Sequence, residues 1–194
     1  MRNMKFEQRQ LSRRRTLTTT LAVFCGLFAA DVCAGNESTE MNVIELINAL
    51  RSVGTPVCVN AADALAASVE TGTGFDLHLR SAGLNEAAAQ ILAHGMRRSD
   101  VGNGRFLRSF SASYNPDLGD VGAAALAEAF PDTMIELGLV GCSIGDAGGS
   151  AILEWARKAR QLRMICVEGN MFSAEIKSQF QSLASHGREI LVVV

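Results

Sequence analysis

Histidine is scarce in this 194-residue chain, and the three present, His78, His94 and His186, stand far apart. No pair of His or Cys residues falls at the short spacing that tetrahedral metal sites use, so neither a metal nor a cofactor is expected. Basic excess is also missing: 18 Lys and Arg stand against 20 Asp and Glu, which argues against a nucleic-acid binder. The one basic cluster, Arg157, Lys158, Arg160 and Arg163, follows a helical run, where cations favour the helix dipole. GNG at 102–104 and GDAGG at 145–149 lack the lysine and spacing of a phosphate-binding loop and read as turns and helix starts.

Long apolar runs are absent too. The stretch Leu17–Ala30 is too short to cross a bilayer comfortably. It follows a basic leader and precedes the small-residue site Val32-Cys33-Ala34, the layout of a secretory signal peptide over residues 1–34 with cleavage after Ala34. SRRRTL at 12–17 resembles the twin-arginine export signal with Thr16 in place of the usual Phe; an ordinary basic leader and a retained anchor are the alternatives. A secreted or periplasmic protein with no stable membrane span after processing is expected. Processing takes six basic and two acidic side chains from the totals of 18 and 20, leaving a net charge of about −6. It also leaves three cysteines, Cys58, Cys142 and Cys166, an odd number that predicts free thiols.

What the chain does have is recurrence. IELGLVGCSIGDAGGSAILEW at 135–155 places Leu137 and Leu139 at strand spacing, then Cys142 and Ile144, then a glycine-punctuated helix start. Phe110, Ala112, Asn115 and Leu118 repeat the pattern upstream with one extra residue; Ile165, Val167, Asn170 and Phe172 repeat it downstream. A degenerate copy holds Leu77, Leu79, Ala82 and Leu84. The markers Ala82, Asn115, Cys142 and Asn170 are 33, 27 and 28 residues apart. A single strand-helix unit cannot bury its own apolar face, so such units are stable only when stacked, about three at minimum.

Within each unit, Asn115 and Asn170 suit the turn after the strand, where a small polar side chain satisfies neighbouring backbone groups; Ala82 cannot do so. Asp120 and Asp146 are the expected helix N-caps, with Asn85 and Ser173 one position earlier. Leu92, Leu126, Ile152 and Phe180 share one helical position facing the strands, and the small residues Ala89, Ala123 and Gly149 allow close helix packing. Val43, Leu46, Ile47 and Leu50 predict an N-terminal cap helix, and 56–70 a truncated strand and helix. EILVVV predicts a last strand whose apolar edge offers self-association.

The L-x-L-x-x-C-x-I of 137–144 with GDAG at 145–148, and GDVGAAALAEAF at 119–130, resemble the leucine-rich repeats, in particular the ribonuclease-inhibitor-like class. The resemblance covers about residues 75–194, four copies and a terminal strand, with 35–74 as linker, cap helix and truncated first repeat. It implies an α/β fold: a right-handed α/β solenoid, a short horseshoe with parallel strands lining the concave face and helices outside. It also implies a role in holding another protein.

On that arrangement His78, Arg80, Ser111, Ser113, Val140 and Glu168 line the free strand face with Tyr114 at its margin, and these are the expected partner-binding residues. Arg80 and Tyr114 are the expected anchors, since aromatic and Arg side chains dominate interface energetics. His78, Cys166 and Glu168 tempt one to assemble a nucleophilic site, but His78 and Cys166 are three strands apart, roughly 14 Å at about 4.8 Å per strand. A nucleophile and its base need about 3 Å, so no catalysis is expected. The insertion HGMRRSDVGNGR at 94–105 is read as a solvated loop, with Arg97 and Arg98 as alternative contacts. An exported binding module is the expected function; an effector acting on a host or envelope protein, and a remnant of a longer repeat protein, are the alternatives.

Overall fold

The computed structural model describes residues 43–69, 74–99, 107–185 and 188–194; the expected signal peptide and the linker before the cap helix lie outside them. Helix α1 covers 43–53. It is followed by α2 (Pro56–Val69), β1 (Phe75–His78), α3 (Glu86–Ser99), β2 (Leu107–Ser111), α4 (Gly119–Ala127), β3 (Glu136–Gly138), α5 (Asp146–Lys158), β4 (Met164–Cys166), α6 (Ala174–Ser182) and β5 (Leu191–Val193). The five strands form one sheet in the order β1-β2-β3-β4-β5, every pair parallel, so each strand lies beside its predecessor in sequence. A helix carries each crossover, as parallel pairing requires. Helices α3 to α6 pack neighbour to neighbour in the same order. The fold is α/β.

Strand register aligns Leu77, Phe110, Leu137, Ile165 and Val192 across the sheet. Two residues further on, Leu79, Ala112, Leu139 and Val167 are all fully buried, as are Leu92, Leu126, Ile152 and Phe180 from the helices. Each large apolar side chain so buried contributes about 1.5–3 kcal/mol. Aromatic contacts link successive units: Phe110 and Phe130 rings are 4.9 Å apart, Phe130 and Trp155 5.2 Å. Gly149 is set by this packing, since a Cβ there would lie 2.9 Å from both Ile176 and Phe172.

Side chains in the turns after the strands bind adjacent units together. Asn115 accepts the Leu84 N–H at 3.0 Å and donates to the carbonyls of Leu79 and Ala112 at 3.0 and 2.7 Å. Asn170 accepts from Cys142 and Ile144 and donates to Leu139 and Val167. Cys142, between them, donates its thiol to Ala112 O at 3.2 Å. It is not called on to accept the Leu118 N–H, which the longer turn before α4 satisfies internally through Asn115 O at 3.0 Å.

Three local expectations are corrected. Residues 56–69 are one helix rather than a truncated strand and helix. Pro56 occupies the first turn, where no N–H is needed, and Thr55 Oγ1 accepts from Cys58 N at 3.3 Å. Cys58, Ala62 and Leu65 then form a buried face at helical spacing that outweighs the strand preference of Val57 and Val59. Asp120 and Asp146 do not cap their own helices: no side-chain cap bond is made at the start of α4 or α5. Asp120 Oδ1 instead accepts from Gly145 and Gly148, and Asp146 Oδ1 from Ser173, each in the following unit. Asn85 and Ser173 do cap α3 and α6, bonding Ala88 N and Ile176 N. Finally, 94–99 continues α3 and is not a loop, while 100–105 of the expected insertion lie outside the described residues; Arg98 pairs with Glu45 of α1 at 3.4 Å.

The ends are held differently. Val43, Leu46, Ile47 and Leu50 of α1 are buried. Gly95 admits α1 against α3, since a Cβ there would lie 2.6 Å from Ala49 Cβ. At the other end, the Arg188 guanidinium donates to the carbonyls of Ala156 and Ala159 at the end of α5. Free helix-terminal carbonyls accept cationic donors well, and this fixes the approach to β5.

Candidate functional site: the open strand face

Period-two alternation leaves one sheet face without a helix core behind it. In register, its first row is Asp76, Ser109, Glu136, Met164 and Leu191; its second is His78, Ser111, Gly138, Cys166 and Val193. Backbone pairing runs past the strand ends, with Ser81 N donating to Ser113 O, Tyr114 N to Val140 O and Gly141 N to Glu168 O at 3.0, 2.7 and 3.0 Å. A third row follows: Arg80, Ser113, Val140 and Glu168.

Beyond that row the chain turns away, and the next residue of each unit, Ser81, Tyr114, Gly141 or Gly169, has a left-handed φ of 51°, 63°, 63° or 70°. Glycine adopts this conformation freely, whereas a side chain costs about 1–2 kcal/mol. Tyr114 bears that cost while 45% exposed. Its ring lies under the Arg80 guanidinium, 4.0 Å from centroid to Cζ, a cation–π contact of about 0.5–1 kcal/mol at an exposed site. Gly141 lies beside the ring, where an added Cβ would stand 3.5 Å from Tyr114 Cδ1.

The expected residues do not all present themselves. His78, Arg80 and Glu168 are exposed, and Ser111 and Val140 are half-buried. Ser113 is only 5% exposed, and its hydroxyl accepts the Val140 N–H at 3.1 Å; it is floor rather than contact. Sequence reasoning missed the first row. Asp76 pairs with Arg108 at 3.1 Å, Glu136 accepts from Ser109 Oγ at 3.3 Å, and Leu191 is exposed beside Met164. The signal was available: these residues lie two positions before the second row.

Cys166 sits among carboxylates. Burial pushes its thiol up, and Glu168 and Glu136 push it further, so it is protonated near neutral pH. His78 and Cys166 share a row three strand steps apart, roughly 14 Å, which keeps the imidazole from serving as base to the thiol. Cys58, Cys142 and Cys166 are free thiols. Among the described residues no group of three or more His, Cys, Asp or Glu could hold a metal ion, and no helix is long and apolar enough to cross a membrane. A cavity of about 400 Å³ lies where α2 meets β1, lined by Leu65, Phe75, Asp76, His78 and Arg108 among others.

Compared with known proteins, the chain matches no family model and has no significant match among curated proteins.

Proposed function

We propose that this chain is a short right-handed leucine-rich-repeat solenoid of the ribonuclease-inhibitor-like class, exported to the periplasm or the medium. Its open strand face holds a protein partner without catalysing a reaction. Sequential parallel strands and the recurring left-handed turn support the repeat reading. The observation that carries the binding reading is Tyr114: an aromatic at a position suited to glycine, strained, exposed and stacked on Arg80. Folding gains little from such a residue, whereas a rigid aromatic beside a guanidinium suits an interface anchor.

Capture from envelope and extracellular extracts tests this, using wild type, Arg80→Ala/Tyr114→Ala and a helix-surface control, Val121→Ala. A partner retained by the control and lost by the face variant is expected. A partner lost only with the control, or no partner at all, overturns the reading.

A further inference from the structure

The open face is charge-ordered. Arg80 stands over Tyr114 at the β1 side, while Glu168, two residues past Cys166, and Glu136, on the neighbouring β3, place negative charge near Cys166. The ion pairs among the described residues are Arg51–Asp63, Arg98–Glu45, Arg108–Asp76 and Lys158–Glu154. Arg80, Glu136 and Glu168 take part in none of them. Arg80 and Glu168 occupy the same row three strand steps apart, roughly 14 Å, too far to pair with each other. At physiological salt the Debye length is about 8 Å, so each charge acts on what lies next to it.

The ground between them is low. Gly138 has no side chain, and a Cβ there would come within 3.0 Å of Ser111 Oγ and 3.4 Å of Ser113 Oγ. Ser113 is fastened to the Val140 N–H, and Val140 is half-buried. Between Arg80 and Glu168 in that row stand only the buried Ser113 and the half-buried Val140, so an extended backbone can lie across it.

Resting on the reading that this face binds a partner, we infer that its occupant is an extended polypeptide segment laid across the strands, with an acidic and a basic side chain four residues apart. An extended chain advances about 3.4 Å per residue, so four residues span roughly 14 Å, and residues i, i+2 and i+4 share a face. The acidic side chain meets the free edge of the Arg80 guanidinium. The basic one meets Glu168, with Glu136 adding negative charge from the neighbouring strand, and the residue midway rests over Ser113 and Val140. Either chain direction meets the spacing.

The test is selection of the whole protein, without its leader, against a displayed library of random heptapeptides, followed by titration of two synthetic probes. These are Thr-Glu-Thr-Val-Thr-Lys-Thr and its isomer Thr-Glu-Thr-Lys-Thr-Val-Thr. Enrichment of opposite charges four apart is expected, with the first probe binding at least tenfold more tightly than the second. Arg80→Glu and Glu168→Lys should each weaken the first probe at least tenfold, and the double reversal should recover most of the loss by turning the peptide round. Circular dichroism establishes that each variant is folded. Selected peptides of a single charge sign, equal binding of the two probes, or an empty selection overturn the inference. If single-sign peptides still depend on Tyr114 and Arg80, the face remains the binding surface and only the identity of its occupant is wrong.

Discussion

Asp120 lies in the first turn of α4, yet its carboxylate serves α5: Oδ1 accepts the N–H of Gly145 at 2.7 Å and of Gly148 at 2.9 Å. Asp146 repeats the reach onto Ser173 at 2.7 Å. At α5 the acid of the preceding unit thus supplies the helix cap, where a carboxylate also meets the positive end of the helix dipole, whereas at α6 Asp146 bonds the N–H of the cap residue Ser173, whose own hydroxyl caps the helix. Asp120→Ala should cost about 1–2 kcal/mol. Amide hydrogen exchange should accelerate at Gly145 and Gly148 and remain unchanged in the first turn of α4. Acceleration confined to α4 would restore the ordinary capping role.

Asn115 joins three backbone groups from two units, all buried. A buried backbone group left unpaired costs about 1–3 kcal/mol, so Asn115→Ala should lose several kcal/mol even with partial rehydration. Denaturant melts would show a lower midpoint, with exchange rising at Leu84 as well as near residue 115. A loss under 1 kcal/mol, on the order of a surface change, would contradict this bonding.

Tyr114→Gly separates folding from binding. Relief of the left-handed strain, about 1–2 kcal/mol, should match or exceed the loss of the Arg80 contact, about 0.5–1 kcal/mol. The variant should melt at or slightly above wild type yet lose partner capture. A clear drop in Tm would make the ring a structural element.

Burial pushes the Cys142 and Cys58 thiols up from an ordinary 9.0, against smaller lowering by hydrogen bonds from Asn115 and Tyr114 for Cys142 and from Thr55 for Cys58. Below that value both folded and unfolded thiols hold their protons and the stabilisation is complete. Above it the unfolded thiols ionise first, so the unfolded state binds fewer protons and stability falls as pH rises toward the folded-state values. Chemical denaturation from about pH 8 to about pH 10 should show this decline, shallower in Cys142→Ser, whose hydroxyl does not titrate there. Equal slopes would remove Cys142 from the account.

Strand positions and register were legible because Leu77, Phe110, Leu137 and Ile165 carry an unambiguous period of two and the same distance to the turn markers. Asn115 and Asn170 were legible because a short amide is the natural bridge between stacked turns. The capping partners were not: an acid near a helix start reads as a cap for that helix, and only the stacking of neighbours brings Asp120 to α5. α2 was misread because Val57 and Val59 favour strands while Pro56 set the helix start. On the open face, the expected residues His78, Arg80 and Glu168 are exposed. Ser113 was misplaced because alternation assigns a face and says nothing of how deep a small side chain sinks into it.

The most direct test of the open face as binding surface is a backbone-amide NMR map of the isotopically labelled protein titrated with a captured partner segment or selected peptide. The largest shifts are predicted at residues 78–81, 111–114, 138–141 and 166–169, the segments that carry the second and third rows and the left-handed turns. Shifts confined to the helices α3 to α6, with those four segments unmoved, would contradict it.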